Sequence, residues 1–319
     1  MRALITGITG MVGSHLAEYL LRNQPEIEVF GLKRWRSPMD NLENVKHQVR
    51  FLNADLLDLT GTRNAILEAK PDFVFHLAAQ SDVKTSFLNP SITLQVNVLG
   101  TFHLLEAIRL EGIDPVIHIC SSSEVYGDVL PEDVPILETH PLAPASPYAV
   151  SKVGEDLIGL QFFLSYKLKT IRSRMFTHTG PRRGEVFAES AFAKQIARIE
   201  KGLQEPVVHV DNLDSVRTFA DVRDAVYAYW LLVNKCTPGE AYNIGGNRTM
   251  KVGEMLKYLI SLSTVKSIRV EVMPELLRPS DVTYQVPSVD KFCRQTGWKP
   301  EIPFEQTMMD LLNYWRERV

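Results

Sequence analysis

A tyrosine and a lysine four positions apart are the residues of this 319-residue chain whose spacing most clearly suggests catalysis. Tyr148 and Lys152 follow Pro147, so a helix is expected to begin near the tyrosine, and residues four apart share one helix face. A free tyrosine has a pKa of about 10, which a neighbouring ammonium group lowers because it favours the phenolate. The pair therefore predicts an acid–base tyrosine that exchanges a proton with an alcohol or carbonyl oxygen.

A hydroxyl and a carboxylate precede this pair. Ser122 and Glu124 follow a predicted strand over residues 116–120, and Ser122 is expected to hydrogen-bond the oxygen on which Tyr148 acts. Simple carbonyl reduction needs no carboxylate. Removing a proton next to a carbonyl and expelling a hydroxyl as water needs a base that can then act as an acid. Glu124 therefore favours an elimination, with a structural carboxylate at a strand end as the alternative.

A glycine-rich turn near the N-terminus predicts a phosphate-binding site. It follows a predicted strand over residues 2–6 and precedes a helical pattern over residues 11–22. Glycines allow a tight turn and close approach to a pyrophosphate, and the helix N-terminus supplies free N–H groups. A glycine-rich turn that binds nothing is the alternative. The candidate binding residues of the turn are Gly7, Thr9, Gly10, Met11, Val12 and Gly13.

The end of the second predicted strand, residues 28–32, discriminates between two dinucleotides. NAD enzymes usually have an acidic residue here that accepts from the ribose 2′-hydroxyl, whereas this chain has Arg34 and Arg36. Arginines suit the 2′-phosphate of NADP, although solvated loop charges would give the same pattern. We therefore predict NADP. The further candidate cofactor residues are Asp55, Leu56, Leu77, Ala78, Ala79 and Gln80, together with Tyr148 and Lys152.

The elements that must position these residues alternate between strands and helices. Apolar runs predict strands at 2–6, 28–32, 49–53, 73–76 and 116–120, and amphipathic patterns predict helices at 11–22, 59–69 and 94–110. This alternation is typical of βαβ units. It predicts an α/β Rossmann fold, with a doubly wound parallel sheet that binds ligands at the carboxyl ends of its strands.

The pattern changes after residue 175. Predicted helices at 188–202, 222–234 and 252–262 alternate with short strands at 206–210, 240–244 and 267–272. We predict an NADP-binding Rossmann domain over residues 1–175. A smaller C-terminal α/β substrate-binding lobe is predicted mainly over residues 176–319, with the chain partly interleaved between the two.

Composition and charge exclude several functional classes. A net charge of −3 and the lack of long like-charge runs do not suggest nucleic-acid binding. No apolar run approaches the roughly 20 residues of a membrane span. The histidines have no metal-ligand spacing, so we expect no metal and read them as packed or hydrogen-bonded. Cys120, Cys236 and Cys293 are far apart, which favours a reducing compartment and predicts a cytoplasmic protein.

With these residues, the chain resembles an extended short-chain dehydrogenase/reductase of the nucleotide-sugar branch. The resemblance spans nearly the whole chain, from Thr6 to the Thr-Gly-Trp-Lys-Pro motif at 296–300. Segments 31–34, 78–81, 86–87, 123–124 and 178–184 are similar to the GDP-mannose 4,6-dehydratase family. The chain length, segment 148–152 and segment 191–198 are similar to GDP-4-keto-6-deoxy-mannose reductases.

The resemblance implies a role for each matching residue. It assigns catalysis to Ser122, Glu124, Tyr148 and Lys152, and implies a GDP-sugar substrate whose diphosphate is held by Arg217 and Arg278. Thr177 stands where the dehydratases usually have Asn. The implied substrate-binding residues are Ser81, Ser86, Thr177, Arg183, Lys194, Arg217 and Arg278.

The activity expected from this resemblance is dehydration of GDP-mannose to GDP-4-keto-6-deoxy-mannose, with NADP recycled internally. The alternatives are the NADPH-consuming 4-keto reductase and another nucleotide-sugar dehydratase, epimerase or decarboxylase of the same branch. A non-catalytic NADP-sensing protein is a more distant alternative. The resemblance also implies a homodimer through helices near residues 94–110 and 146–164, or a homotetramer through residues 33–37 as well.

Overall fold

Strands and helices alternate along most of the chain, as the computed structural model of residues 1–276 and 282–319 shows. Arg278 lies outside the described residues. The strands are β1 Arg2–Thr6, β2 Glu28–Lys33, β3 Arg50–Asn53, β4 Phe73–His76, β5 Val116–Ser122, β6 Lys169–Met175, β7 His178–Thr179, β8 Val207–Val210, β9 Val216–Asp221, β10 Ala241–Ile244, β11 Arg248–Lys251, β12 Arg269–Val272 and β13 Tyr284–Gln285.

The helices lie between these strands and after the last of them. They are α1 Met11–Asn23, α2 Leu59–Ala69, α3 Val83–Leu88, α4 Pro90–Leu94, α5 Gly100–Leu110, α6 Pro147–Tyr166, α7 Ala188–Glu200, α8 Val222–Lys235, α9 Val252–Ser261, α10 Asp290–Thr296 and α11 Phe304–Arg316. A π-helical turn, Gln95–Leu99, joins α4 to α5. No helix in the described residues combines the length and apolar character of a membrane span.

A parallel sheet of seven strands positions the site. Its order is β10-β6-β5-β4-β1-β2-β3, and every neighbouring pair is parallel. The strand order reverses direction between β1 and β4, where a doubly wound sheet opens a crevice at its carboxyl edge. The predicted Rossmann fold is therefore confirmed.

Both faces of this sheet are covered, which is why its strands appear in the sequence as continuous apolar runs. Ala3 and Ile5 of β1 belong to the core cluster that includes α1 and α8. Leu4, which points the opposite way, belongs to the cluster that includes α2, α5 and α6. All of these side chains are fully buried, so β1 is a central strand that fixes the start of the glycine turn.

Two predicted elements differ from the structure in an informative way. The strand predicted at 240–244 within the substrate lobe is β10, which pairs with β6 as an edge of the large sheet. The chain therefore returns to that sheet after leaving it. The helix predicted at 94–110 is part of a longer helical run that the π turn interrupts. The side chain of Asn97, which lies in this turn, is buried in the interior.

Smaller sheets form the remaining part of the protein. β9 pairs with β11, β13 and β7, and β8 pairs with β12. Helices α7, α9 and α11 pack on a third apolar cluster that includes Phe192, Leu256 and Met308. This part of the chain faces the carboxyl edge of the large sheet across a cavity.

Candidate active site

A cavity of about 820 Å³ runs from the glycine turn after β1 to the smaller sheets. Its size suits a dinucleotide together with a second ligand, since ligand pockets commonly have volumes of about 300–1,000 Å³. The sequence-predicted residues that line it are Gly7, Thr9, Gly10, Met11, Val12, Gly13, Arg34, Asp55, Leu56, Leu77, Ala78, Ala79, Gln80, Ser81, Ser122, Glu124, Tyr148, Lys152, Thr177, Arg183 and Arg217.

Three predicted site residues do not line the cavity. The Arg36 guanidinium stacks on the exposed ring of Trp35, 4.2 Å from its centroid. The Ser86 hydroxyl is buried and donates to a carbonyl of its own helix, at 2.6 Å from Val83 O. The Lys194 ammonium forms an ion pair with Glu185. In each case a local partner holds the polar group, which sequence spacing does not reveal.

The glycine turn brings the end of β1 against the end of β4. Gly7 has φ +68°, and a Cβ there would lie 2.8 Å from the backbone of Ala78. A Cβ at Gly13 would lie 2.4 Å from the Gly7 carbonyl oxygen. Gly7 therefore requires glycine for its φ and for the lack of space, and Gly13 requires it for the lack of space. The helix N-terminus at Met11 then opens onto the cavity, so its free N–H groups are available to a pyrophosphate.

A buried hydrogen-bond network holds β1 and β4 together below the turn. The Thr6 hydroxyl accepts from the Leu77 and Ala78 amides, both at 3.1 Å, and lies 2.9 Å from His76 Nδ1. His76 Nε2 lies 2.8 Å from the Thr101 hydroxyl. Burial, and secondarily the Lys152 charge, lowers the pKa of His76 to about 3. The imidazole is therefore neutral and acts as a hydrogen-bonding link between strands.

Asn97 connects this region to the helix that carries the tyrosine. Its side-chain amide accepts from Gln80 N at 2.8 Å and donates to Gln80 O at 3.0 Å. The same amide donates to Ser151 Oγ at 2.8 Å, which donates in turn to Tyr148 O at 2.7 Å. Sequence reasoning missed Asn97, because the π turn that directs it inward has no pattern of its own in the sequence.

The tyrosine–lysine pair lies at the start of α6, whose first turn is capped by the Ser146 hydroxyl at 3.0 Å from Ala149 N. Lys152 Nζ donates to Cys120 O on β5 and to Glu155 Oε2, both at 2.9 Å. Glu155 was also missed in the sequence analysis.

The expected lowering of the tyrosine pKa is not the net effect in this structure. Burial raises the pKa of Tyr148 above its ordinary value, and the Lys152 charge and the Ser122 hydroxyl only partly offset this. Burial of the phenol is the main physical reason, and the environment of the lysine adds a smaller contribution. Glu155 also raises the pKa of Tyr148, since its carboxylate sits against the ammonium group that would otherwise favour the phenolate.

Ser122 and Glu124 reach the cavity from the carboxyl end of β5. This strand extends two residues further than predicted, to Ser122, and a short 3₁₀ turn over Ser123–Tyr126 follows. The Ser122 hydroxyl caps that turn by accepting from Glu124 N at 3.2 Å. The serine, glutamate, tyrosine and lysine of the predicted catalytic set therefore line the same cavity as the glycine turn.

The cavity lining also contains a neutral histidine and a stacked arginine. His178 Nδ1 lies 3.1 Å from Phe176 O, and burial, then the Arg183 charge, lowers the pKa of His178 to about 4. Nδ1–H is the donor in that bond, so Nε2 is left as an acceptor. The Arg183 guanidinium stacks on Phe187 at 3.5 Å. Burial lowers the pKa of Arg183, and Glu189 opposes this change. His178 lines the cavity, a role that the sequence analysis did not assign to it.

Comparison with known proteins identifies a family match. The family model described as GDP-mannose 4,6 dehydratase matches residues 4–311. A GDP-6-deoxy-D-mannose reductase of Pseudomonas aeruginosa is 32% identical, covering 100% of this chain and 98% of the relative. A GDP-mannose 4,6-dehydratase of Vibrio cholerae is 33% identical, covering 97% and 92%. The solved structure of RMD from P. aeruginosa complexed with NADPH has a TM-score of 0.86 at 32% identity, covering 100% and 99%.

Proposed function

Because the chain belongs to the GDP-mannose 4,6-dehydratase family, we propose that it converts GDP-mannose to GDP-4-keto-6-deoxy-mannose. The observation that carries this proposal is the carboxylate of Glu124, which lines the same cavity as Tyr148 and Lys152. A reductase needs the tyrosine and lysine, whereas loss of water also needs a base that becomes an acid.

The cavity residues fit NADP as the cofactor. Gly7 leaves the space beside Ala78 that a side chain would fill, and Arg34 offers a cation for a 2′-phosphate. The NADPH complex of the P. aeruginosa structure supports the same choice. When bound there, NADP would supply reversible hydride transfer, with no net consumption of the cofactor in the overall reaction.

The side chains divide the proton transfers between them. Lys152 stabilises the phenolate form of Tyr148, which accepts the proton of the 4-hydroxyl, and Ser122 hydrogen-bonds the same oxygen. Glu124 removes the proton at C5, next to the new carbonyl, and then protonates the leaving 6-hydroxyl. Hydride addition at C6 and a proton at C5 complete the product, and that proton is balanced by release of the one that Tyr148 took from the 4-hydroxyl. The reaction needs both a base and an acid at neutral pH, and one carboxylate fulfils both roles in sequence.

The substrate diphosphate requires cations in the cavity. Arg183 and Arg217 line it, and Ser81 and Thr177 add hydroxyls. A planar guanidinium group can donate two hydrogen bonds at once to phosphate oxygens, so arginine is the suitable residue type. The guanine base is proposed from the family alone.

A second candidate is the 4-keto reductase, which one observation favours. The P. aeruginosa reductase matches this chain over nearly the full length of both proteins. In that case Tyr148 protonates the 4-oxygen during reduction and Glu124 has a structural role. Net consumption of NADPH distinguishes the two activities, because dehydration consumes none.

Replacement of Glu124 tests the dehydratase proposal. The Glu124→Gln variant keeps the size and polarity of the side chain but removes its base. We expect loss of product formation from GDP-mannose by at least about 100-fold, the order of a lost general base. Glu132→Gln is the matched control, since Glu132 is exposed on a nearby turn. Undiminished dehydration by Glu124→Gln would reject the role given to Glu124.

We also propose a homodimer in the cytoplasm. Exposed apolar side chains along α5 and α6 support the dimer, because apolar surface of this kind marks interfaces. The exposed fractions lie between 40% and 58% for Phe102, Leu110, Val150, Leu157, Leu164 and Tyr166. Free thiols at all three cysteines are consistent with a reducing compartment. Sedimentation at several protein concentrations tests the dimer, and a monomer throughout would reject it. A tetramer would indicate a second interface, for which exposed Trp35 is the candidate.

A further inference from the structure

Glu155 is a buried carboxylate one helical turn after Lys152. Its side chain is fully buried, and its Oε2 lies 2.9 Å from Lys152 Nζ. Within the described part of the chain, Oε1 has no hydrogen-bond partner. Burial raises the pKa of Glu155 to about 7, against the effect of the Lys152 charge. A buried and incompletely hydrogen-bonded carboxylate is a poor source of stability, so its effect on the neighbouring lysine is of interest.

The first effect is on the orientation of the ammonium group. An ammonium group has three N–H donors. Two of those at Lys152 point to the Cys120 carbonyl on β5 and to Glu155 on α6. Nζ is thereby fixed between the strand and the helix, 5.9 Å from the centroid of the Tyr148 ring. Lys152 itself is 4% exposed and lines the cavity.

The second effect is on charge. Besides Glu155, several ionisable groups from packed elements act on Lys152 or Tyr148, and they are Cys120 and His118 on β5, His76 on β4, Tyr229 on α8 and Arg183. Asp156 on α6 acts on Glu155 itself.

Most of these groups are already neutral or paired. Burial lowers the pKa of His76 and of His118 to about 3, so both are uncharged at neutral pH. Asp156 is held by Arg172 Nη1 at 2.7 Å and Arg174 Nε at 2.9 Å. Glu155 is therefore the carboxylate that directly opposes the Lys152 charge.

We propose that Glu155 is a positioning residue for the Tyr148–Lys152 pair. It fixes the lysine ammonium group and partly offsets its charge, and so sets the pH range in which Tyr148 accepts a proton. The proposal rests on the proposed function only in taking Tyr148 as the acid–base residue.

The test replaces the carboxylate by an amide of the same shape in Glu155→Gln, studied with NADP bound. The near-ultraviolet absorbance of tyrosinate, measured as the difference from matching variants that also carry Tyr148→Phe, follows the ionisation of Tyr148. Removing the negative charge leaves the lysine cation unopposed. We expect the Tyr148 midpoint to move down by about one pH unit. The acid limb of kcat/KM should move down with it.

Two control variants separate charge from structure. Glu43→Gln removes another ion pair between residues three apart, that with Lys46 at 2.7 Å, and should leave the midpoint unchanged. Glu155→Asp retains the charge and should shift the midpoint less than Glu155→Gln. If Glu155→Gln does not fold, Glu155→Met has the same expected downward shift. An unmoved midpoint with reduced kcat, or an equal shift in Glu155→Asp, would overturn the proposal.

The two proposals fail in different ways. The absorbance titration needs no turnover, so it tests Glu155 even if GDP-mannose is not a substrate. A normal midpoint shift with no conversion of GDP-mannose would count against the proposed function alone.

Discussion

Replacement of Gly7 by alanine tests whether the turn after β1 must lie against the backbone of β4. Two costs arise in Gly7→Ala. The φ of +68° costs an alanine about 1–2 kcal/mol. The new Cβ would also lie 2.8 Å from both Ala78 Cα and Ala78 N, which belong to backbone and cannot rotate away. Overpacking of this kind costs a further 1–3 kcal/mol or so.

Gly202→Ala separates these two costs. Gly202 has the same φ of +68°, but nothing lies within 4 Å of the position of its Cβ. We therefore expect a loss in free energy of unfolding of about 1–2 kcal/mol for Gly202→Ala and about 2–5 kcal/mol for Gly7→Ala. Denaturant unfolding measures both values.

NADP affinity is the more specific measurement on the same variants. A displaced Ala78 narrows the space beside the glycine turn, so Gly7→Ala should weaken NADP binding at least about tenfold, equivalent to about 1.4 kcal/mol. Gly202→Ala should bind NADP normally, because it lies on the turn after α7. Wild-type NADP affinity in Gly7→Ala, or an equal loss of stability in the two variants, would refute the reasoning.

Two further predictions concern the cofactor loop and the buried histidines. Arg34→Glu should weaken NADP binding at least about tenfold while leaving NAD binding unchanged or stronger, because a carboxylate repels a 2′-phosphate but accepts from a 2′-hydroxyl; equal effects on the two cofactors would contradict this. Burial holds the pKa of His76 and His118 at about 3, below their unfolded value, so stability is fully present above about pH 6.5 and falls as the pH decreases toward 3. Between pH 6.5 and 5, protonation of each histidine in the unfolded state should lower the free energy of unfolding by about 1.6 kcal/mol. His118→Gln should reduce this pH dependence by about half, and an unchanged pH dependence in that variant would contradict the prediction.

Much of the fold could be predicted from sequence, because strands covered on both faces appear as short apolar runs between amphipathic helices. Strands β1 and β4 and helix α2 have the predicted bounds. The strand with which a given strand pairs could not be predicted in this way. β10 has a similar pattern to the short strands of the smaller sheets, and its pairing with β6 depends on contacts far apart in the chain.

The residues of the candidate site also differ in how far the sequence predicts them. Residues within motifs, such as Gly7 and Tyr148, line the cavity. Those that motifs do not cover were missed or misplaced for local reasons. In the sequence Glu155 has the pattern of a solvated charge on a helix, but in the structure it is buried on α6. The inward position of Asn97 depends on a π turn. Arg36 looks like a phosphate ligand but stacks on Trp35.

The most direct test of the dehydratase activity is the product mass after incubation of the purified protein with GDP-mannose and a small amount of NADP. We predict a product lighter by one water, formed in excess over the cofactor, with no lasting change in NADPH absorbance. Unchanged GDP-mannose, together with NADPH consumption when the 4-keto-6-deoxy sugar is supplied, would contradict the dehydratase and establish the reductase.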